Sequence, residues 1–288
     1  MKKRVLLTGV TGFIGRHLAR RMVEAGWEVA AIVRPSSDLK ALSTAVRGCV
    51  DFHVYAGGTL TDIVREAKPT VVSHLASLYL AAHESADIPA LVASNILFGT
   101  ELLEAMAKND VRRFVFAGTS WQHYQGMLYS PVNLYAATKE AFEVMLRYYE
   151  ETAGLHAVGL KLFDTYGEGD TRRKILALLE EAAKMGEELA LSPGEQKLDL
   201  VHVDDVAEAF RLAAEDLAAD RADICGEYAV SAGTALSLRE IAARLEKLLG
   251  KKIPVRWGAR PYRSREVMEP WSTGRILPGW QRRHKEIM

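Results

Sequence analysis

Tyr135 and Lys139 lie four residues apart in a segment with helical periodicity, so they are expected to share one face of a helix. An ammonium group one turn from a phenol favours the phenolate, so this pair is expected to lower the pKa of the tyrosine. Such a tyrosine can exchange a proton with a carbonyl or alcohol oxygen near neutral pH. Thr119 or Ser120 could give the same oxygen a second hydrogen bond. The spacing also arises by chance on surface helices, and the order of the surrounding motifs is what favours a catalytic pair.

The stretch VLLTGVTGFIG, residues 5–15, predicts a turn that binds a dinucleotide. A short apolar run, typical of a buried parallel strand, leads into Gly9, Gly12 and Gly15 and then into a helical pattern. Glycine at this spacing permits a sharp strand-to-helix turn, close approach of a diphosphate to the backbone, and tight packing of the helix on the strand. The first N–H groups of the helix would face the diphosphate. The alternative is a glycine-rich turn that binds nothing.

The residue after the second predicted strand, residues 28–33, indicates which cofactor is bound. An acidic residue here accepts hydrogen bonds from the 2′-hydroxyl of the adenosine ribose, whereas an arginine accommodates a 2′-phosphate. This chain has Arg34, followed by the hydroxyl side chains of Ser36 and Ser37, with no carboxylate before residue 38. The sequence therefore favours NADP(H) over NAD(H), the alternative being a solvated arginine in a loop.

The elements that must position these residues alternate between strands and helices. This alternation predicts a doubly wound parallel α/β sheet over the first part of the chain. After residue 166 the pattern changes to a charged loop followed by further helices, which predicts a second, smaller domain. Ser237 and Glu240 fit a capping box at the start of the last of these helices. The five predicted strands lie at residues 5–7, 28–33, 51–55, 69–76 and 111–118.

Composition excludes several kinds of partner. The 37 Lys and Arg balance the 37 Asp and Glu, so the chain has neither a basic field for nucleic acid nor a polybasic membrane address. No apolar run approaches the roughly 18 residues that span a bilayer, so no membrane partner is expected. Cys49 and Cys225 make no disulfide framework, which indicates a reducing, cytoplasmic location. Asp204 and Asp205 are interpreted as a helix cap rather than a metal site, because no cluster of histidine or cysteine ligands accompanies them.

Together these motifs resemble the extended short-chain dehydrogenases/reductases that modify nucleotide sugars, the epimerase/dehydratase group. The resemblance implies a Rossmann domain over residues 1–165, with residues 198–225 returning to it. It also implies that residues 166–197 and 226–288 form a smaller α/β domain that binds a nucleoside diphosphate sugar, and that the protein is a homodimer. The matching segments are TGVTGFIG (8–15), HLA (74–76), the N-x-x-x-GT of Asn95, Gly99 and Thr100, YAATK (135–139) and LVHVDDVAEAF (200–210).

The resemblance also implies roles for individual side chains. Thr119, with Ser120 as its rival, is the hydroxyl member, Tyr135 is the acid/base, and Lys139 binds the nicotinamide ribose and tunes Tyr135. The other residues expected at the cofactor are Gly9, Thr11, Gly12, Phe13, Ile14, Gly15, Arg34, Ser36, Ser37, Leu75, Ala76, Ser77, Asn95, Leu162 and Phe163. The residues expected at the substrate, besides Thr119, are Trp121, Gln122, His123, Asp164, Arg172, Lys174, Gln196, Lys197 and Arg263.

Three reactions on nucleotide sugars are compatible with such a site. A 4,6-dehydratase of this family carries Asp and Glu directly after the threonine, where this chain has Ser120 and Trp121, so elimination is disfavoured. A 4-epimerase usually retains NAD, which fits Arg34 poorly. Further segments, such as GTSWQHY (118–124) and PYRSREVM (261–268), resemble 4-ketoreductases of the CDP-paratose and CDP-abequose synthase group. The sequence thus favours NADPH-dependent 4-keto reduction, with NAD-dependent 4-epimerisation and a non-catalytic dinucleotide sensor as alternatives.

Overall fold

The structure, a computed structural model, describes residues 3–285, apart from the side chain of Ala222. The strands are β1 (Arg4–Thr8), β2 (Glu28–Val33), β3 (Val50–Val54), β4 (Val71–His74), β5 (Arg113–Thr119), β6 (His156–Leu162), β7 (Asp164–Tyr166), β8 (Leu189–Ala190), β9 (Lys197–His202), β10 (Gly226–Val230), β11 (Ala235–Ser237) and β12 (Val255–Arg256). The α-helices are α1 (Phe13–Glu24), α2 (Thr44–Arg47), α3 (Leu60–Ala67), α4 (Ile88–Val92), α5 (Phe98–Lys108), α6 (Leu134–Ala153), α7 (Ile175–Met185), α8 (Val203–Ala218) and α9 (Leu238–Leu249).

Seven of these strands form one parallel sheet in the order β10-β6-β5-β4-β1-β2-β3, which confirms the predicted doubly wound fold. The order reverses between β1 and β4, whose last residues, Thr8 and His74, are paired. At the neighbouring strands Thr119 of β5 pairs with Leu162 of β6. Ligands of such sheets bind outside the carboxyl ends of the strands at the point of reversal, so this edge carries the candidate site.

Two strands of this sheet, β6 and β10, were not predicted. The apolar pattern of β6 is interrupted by Gly159 and by Lys161, which is fully buried. Glycine is required at 159 because a Cβ there would lie 2.6 Å from the ring of Phe116. β10 pairs with β6 in the large sheet, although its residues were assigned to the smaller domain. Residues 198–202, assigned to the dinucleotide domain, lie in β9 of the smaller three-stranded sheet.

Helices cover both faces of the sheet. On one face α1 and α8 pack against each other and against side chains such as Leu7 and Val115. On the other face α3, α5 and α6 pack against Leu6 and Phe114. Consecutive strand residues point to opposite faces, so each buried strand must be apolar on both sides.

The smaller domain has its own core between two short sheets and two helices. The strand order β11-β9-β7 forms one sheet and β12-β8 the other. Residues such as Leu179 of α7 and Ile241 of α9 are fully buried there. The predicted capping box is confirmed, since Ser237 Oγ accepts from Glu240 N at 3.2 Å and the Glu240 carboxylate accepts from Ser237 N at 2.8 Å.

The tail after residue 270 packs on the dinucleotide domain, although it was assigned to the smaller domain. Leu277 and Trp280 are buried in the same core as α1 and α8, and Trp280 Nε1 donates to the Asp205 carbonyl at 2.8 Å. The tail has no helical or strand periodicity, so the sequence held no signal of the surface it would cover.

The segment Ser85–Lys108 forms a continuous run of helix around a π-helical turn at Ala93–Leu97. By length and mean hydropathy, 1.3, it could cross a bilayer, contrary to the expectation that no apolar run was long enough. Leu91, Leu102 and Leu103 are completely buried in the protein, whereas Ile88, Val92 and Leu97 are exposed.

Candidate active site

The glycine turn between β1 and α1 forms a tight cradle. Gly9 has φ +72°, and a Cβ there would lie 2.8 Å from the backbone N of Ala76. A Cβ on Gly15 would lie 2.0 Å from the carbonyl oxygen of Gly9, so the helix could not pack this closely with any other residue. Both glycines are therefore required by the backbone geometry alone.

The N-terminus of α1 is available to an anion. Gly12 is the N-cap and is exposed, and within the described residues no side chain caps this helix. The first N–H groups of a helix carry partial positive charge and need acceptors. Thr11, Phe13 and Ile14 surround this end, so the turn has the donors and the space that a diphosphate requires.

Thr8 and His74 fix the loop that follows β4. Thr8 Oγ1 accepts from the backbone N of Leu75 at 3.2 Å and of Ala76 at 3.1 Å, and lies 2.8 Å from His74 Nδ1. Burial lowers the pKa of His74 to about 3, so the ring is neutral and Nδ1 accepts the Thr8 hydroxyl hydrogen. Leu75, together with Ser77, is thereby held at the wall of the cleft.

Asn95 supports this loop from inside the protein. Its side chain is 1% exposed and lies in the π-helical turn, a type of irregularity often found at functional sites. Oδ1 accepts from Ser77 Oγ and Leu78 N, and Nδ2 donates to Leu78 O and Thr138 Oγ1. These hydrogen bonds give Asn95 a structural role, and its expected contact with the cofactor stays a prediction.

A cleft of about 120 Å³ brings the predicted catalytic residues together. Tyr135 and Lys139 come from the first turns of α6, and Thr119 and Ser120 come from the end of β5. The cofactor-side residues Ile14, Leu75, Ser77, Leu162 and Phe163 line the same cleft.

The expected lowering of the Tyr135 pKa is not found. Burial raises it above its ordinary value, and the main opposing contributions come from a hydrogen bond with Ser77 and from the charge of Arg172. Lys139 is itself 4% exposed, and burial lowers its pKa to about 8. Desolvation of both side chains thus outweighs the simple effect of an ammonium group one turn away.

Thr119 and Ser120 remain the two candidates for the catalytic hydroxyl. Thr119 is 7% exposed and Ser120 is half-buried. Thr119 Oγ1 accepts from Trp121 N at 3.3 Å, so its own hydrogen stays available for donation to a ligand.

Gln122, which was predicted to contact the substrate, lines neither of the cavities described here. It is completely buried, and its Oε1 accepts the Thr119 N–H at 2.9 Å. Its Nε2 donates to Glu140 at 2.7 Å and to Glu143 at 3.0 Å. The alternation of buried and accessible residues in the turn after β5 was not evident from the sequence.

A second cavity of about 490 Å³ adjoins the catalytic cleft, and the two share Tyr79, Ser120, Trp121, Phe163, Asp164 and Lys174. His123, Gln196, Lys197 and Arg263, all predicted for the substrate, line this second cavity. Arg172 instead lines the cleft on the cofactor side, where its guanidinium lies 4.3 Å from the centroid of the Phe13 ring.

Several residues that line this cavity were missing from the predicted substrate set, among them Tyr79, Arg260 and Trp271. The rings of Tyr79 and Tyr135 meet edge-on, and Trp271 stacks on His123 with 4.0 Å between ring centroids. Tyr79 follows the HLA motif by three residues, a signal that could have identified it. Trp271 lies in the irregular tail, where no pattern placed it.

At the adenosine side, Arg34 follows β2 and is exposed, as are Pro35 and Ser36. Its backbone N–H donates to Ser37 Oγ at 3.0 Å, which closes a short turn. Arg34 therefore lies directly after the carboxyl end of β2.

Histidines do gather around Asp204, contrary to the expectation from sequence. His202, Asp204 and His284 offer ligand atoms within 4.8 Å of one another, and His17 Nδ1 lies 2.8 Å from Asp204 Oδ1. However, His202 Nδ1 accepts the Asp204 N–H at 3.2 Å as the N-cap of α8, which leaves the ring hydrogen on Nε2. Arg20 also binds the Asp204 carboxylate at 2.7 Å. The N-cap of α8 is thus His202, and Asp204 and Asp205, which were expected to cap the helix, lie in its first turn.

The chain matches the model of one protein family over residues 5–225, described as the NAD dependent epimerase/dehydratase family. It is 25% identical to a CDP-abequose synthase of Salmonella muenchen, over 97% of this chain and 93% of that protein. It is 28% identical to a UDP-glucose 4-epimerase of Streptomyces lividans, over 97% of this chain and 92% of that protein. Among solved structures, it resembles the Thermus thermophilus UDP-glucose 4-epimerase complex with NAD, with a TM-score of 0.78 and 27% identity over 97% of this chain and 94% of that one.

Proposed function

The chain belongs to the NAD dependent epimerase/dehydratase family, and from this premise we propose that it reduces a 4-keto group on a nucleotide-linked deoxysugar with NADPH. The observation that carries the proposal is the shared cleft of Thr119, Tyr135 and Lys139, in a chain whose catalytic loop lacks the dehydratase carboxylates. The CDP-abequose synthase relative, similar over nearly the whole chain, supports the same substrate class.

The residues present fit a dinucleotide. Gly9 and Gly15 leave no room for a Cβ, and the uncapped N-terminus of α1 offers N–H donors to a diphosphate. Leu75, Ser77, Leu162 and Phe163 would hold the nicotinamide end, and Lys139 its ribose. When bound, the reduced cofactor supplies a hydride to the carbonyl carbon.

Tyr135 donates the proton that the carbonyl oxygen gains during reduction. Burial keeps its phenol protonated, so Tyr135 acts as the acid and becomes a phenolate when the proton has been transferred. The hydroxyl of Thr119, or of Ser120, donates to the same oxygen while negative charge develops on it. Lys139 in its charged form stabilises the phenolate that Tyr135 becomes.

Arg34 supports NADP(H) as the cofactor. Its exposed guanidinium at the end of β2 suits charge-assisted hydrogen bonds to a 2′-phosphate, and residues 34–37 carry no carboxylate that would repel one. The related epimerase that is solved with NAD supports the alternative, NAD(H).

The larger cavity is proposed to bind the nucleoside diphosphate sugar. Its basic side chains, Arg173, Lys174, Arg260, Arg263 and Arg265, can neutralise a diphosphate, and Tyr79, Trp121 and Trp271 offer flat apolar surfaces to a sugar or base. The cavity shares Ser120 and Asp164 with the catalytic cleft, so one ligand could reach both.

The second candidate is an NAD-dependent nucleotide-sugar 4-epimerase. The observation in its favour is the 28% identity to a UDP-glucose 4-epimerase over nearly the full chain. An epimerase returns the hydride and consumes no net cofactor, whereas a reductase oxidises one NADPH for each sugar. A third candidate, a dinucleotide sensor, would need neither Tyr135 nor the adjoining cavity.

We also propose that the protein is a cytoplasmic homodimer that pairs through the exposed sides of two helical segments. Leu97, in the helical run before α5, is 54% exposed, and Val144 and Tyr148 of α6 are 52% and 61% exposed. Apolar side chains of this size are normally covered by a partner when they occur together.

The testing experiment measures NADPH oxidation against CDP-, dTDP-, UDP- and GDP-linked 4-keto-6-deoxy sugars. Stoichiometric oxidation with at least one of them is expected. Interconversion of UDP-glucose and UDP-galactose without net NADPH oxidation would favour the epimerase, and binding of NADPH without turnover of any substrate would favour the sensor.

A further inference from the structure

A buried charged network lies directly behind the catalytic loop. Lys161 of β6 is completely buried, and its Nζ lies 2.7 and 2.6 Å from the two carboxylate oxygens of Glu143. Glu227 of β10 lies 3.2 Å from the same ammonium group. Burying ions is costly unless they are paired and hydrogen-bonded, so such a network persists only when its members satisfy one another.

Gln122 connects this ion pair to the backbone of the catalytic hydroxyl. Its Nε2 donates to Glu143 Oε1 at 3.0 Å and to Glu140 Oε2 at 2.7 Å, and its Oε1 accepts the Thr119 N–H at 2.9 Å. The three bonds use the acceptor and both donor hydrogens of the amide, so its orientation is fixed.

At the end of β5, Gly118 leaves room for the side chains of this network. A Cβ on Gly118 would lie 2.8 Å from Lys161 Cδ, 3.1 Å from Gln122 Oε1 and 3.2 Å from Glu143 Oε1. Glycine therefore stands directly before Thr119 because the network fills the position of a side chain. This steric fit does not depend on the hydrogen bonds, and it shows that the network packs against the end of β5 directly before Thr119.

Glu143 also shares a helix face with the catalytic pair. Tyr135, Lys139 and Glu143 follow one another at intervals of four residues along α6. The same network thus contacts both catalytic elements, the loop through Gln122 and α6 through Glu143.

We propose that Gln122, held by the Glu143–Lys161 ion pair, is a positioning residue that fixes the catalytic hydroxyl of residue 119 or 120 relative to Tyr135. This inference rests on the proposed function, because it assigns the loop after β5 to catalysis. A displacement of about 1 Å in a reacting group can cost on the order of 10²-fold in rate, so a connection of this kind has a measurable effect.

The network also affects the pKa of Lys139, and therefore the fraction of Lys139 that is charged. The charge of Glu143 raises the pKa of Lys139 and that of Lys161 lowers it, against the larger lowering by burial. Other titratable groups around this region include Glu140 of α6, Glu227 of β10, His123 of the loop and His74 of β4, and the cleft also holds Tyr79, Asp164, Arg172 and Lys174.

The test compares Gln122→Met with a matched control, Asn109→Leu. Asn109 also uses its amide for two backbone contacts, to Thr61 O and Ala105 O, but it lies away from the cleft at the end of α5. In Gln122→Met we expect kcat to fall about 10²-fold, with KM and the Kd for NADPH within threefold of the wild type. Asn109→Leu is expected to lower the melting temperature by about as much as Gln122→Met does, but to retain kcat within threefold of the wild type.

Amide hydrogen exchange gives a readout that needs no substrate. The Thr119 N–H should lose at least tenfold of its protection in Gln122→Met and keep it in Asn109→Leu. Retained protection together with unchanged kcat would overturn the inference. If the wild type oxidises NADPH and Tyr135→Phe abolishes this, but Gln122→Met does not change kcat, the inference fails while the proposed function stands.

Two further variants keep the proposal testable if Gln122→Met does not fold. Gln122→Glu keeps the acceptor for Thr119 and regains a donor when protonated, so its kcat should continue to rise as the pH falls below the alkaline limb, where that of the wild type is level. Glu143→Gln should move the alkaline limb of the pH profile to lower pH by roughly 1 unit, because Lys139 loses a favourable charge. Wild-type profiles in both variants would contradict the positioning role.

Discussion

The rings of Tyr79 and Tyr135 meet edge to face, with 5.1 Å between their centroids and 80° between their planes. Tyr79 comes from the loop after β4 and Tyr135 from α6, so this contact links the two sides of the catalytic cleft. It also lies where the cleft joins the larger cavity, since Tyr79 lines both.

Tyr79→Ala should therefore weaken catalysis without removing the acid. An edge-to-face pair contributes about 0.5–1.5 kcal/mol beyond its buried area, which corresponds to a loss of roughly 2- to 10-fold in kcat/KM. Steady-state kinetics with NADPH and a keto-sugar nucleotide measure the effect. Tyr79→Phe keeps the ring and should stay within twofold of the wild type; equal losses in both variants would argue against the ring contact.

Tyr135→Phe removes the proposed acid and keeps the ring. We expect kcat to fall by roughly 10²–10⁴-fold, the usual contribution of general acid catalysis. The Kd for NADPH, followed by fluorescence, should change by less than threefold because the cofactor contacts remain. Near-normal turnover in this variant would exclude Tyr135 as the proton donor.

The charge of Lys139 predicts how the rate depends on pH. Burial lowers its pKa to about 8, and the mechanism needs the ammonium form, so kcat/KM should fall as pH rises through about 8. The matched variant is Lys139→Arg, whose guanidinium stays charged above pH 12 and should remove this alkaline limb even at a lower absolute rate. A limb that persists in Lys139→Arg would assign it to another group.

The same pKa has a consequence for stability. Between pH 8 and 10.5 the unfolded chain holds a proton at Lys139 that the folded chain has lost, so this residue makes the free energy of unfolding rise with pH. Urea titrations across this range should show a smaller rise in Lys139→Met. An identical slope in both proteins would contradict the assigned pKa.

Arg34 predicts cofactor choice. In Arg34→Asp the carboxylate would repel a 2′-phosphate and accept from a 2′-hydroxyl, so the ratio of kcat/KM for NADPH over NADH should fall at least tenfold. Arg47, a half-buried arginine in α2, supplies a charge-matched control as Arg47→Asp. If both variants alter the ratio equally, the effect is one of net charge and not of a phosphate contact.

The exposed helix faces predict the oligomeric state. Tyr148→Glu places a charge in the proposed dimer contact and should convert dimer to monomer in light scattering after gel filtration. Met185→Glu changes an equally exposed apolar residue of α7, 62% exposed, and should leave the mass unchanged. A monomeric wild type would contradict the proposed pairing.

Residue spacing predicted the parts of the site that depend on local backbone geometry. The glycine turn, the strand ends and the i, i+4 pair of Tyr135 and Lys139 can each be recognised within one continuous stretch of the sequence. The capping box at Ser237 is confirmed for the same reason.

Long-range features were not predictable in this way. The buried Lys161 made β6 look unlike a strand, because its partner Glu143 lies in another element. Gln122 could not be distinguished from its accessible neighbours in a turn without periodicity. The raised pKa of Tyr135 follows from burial, which depends on packing against residues such as Tyr79 that are distant in sequence.

The measurement that tests the central claim most directly is the stoichiometry of NADPH oxidation with a CDP-linked 4-keto-6-deoxy sugar, followed by absorbance and by analysis of the sugar product. We predict one NADPH oxidised for each 4-keto group converted to a hydroxyl, with less than about 1% of the rate in Tyr135→Phe. Epimerisation of a 4-hydroxy sugar nucleotide with no net change in NADPH would contradict it.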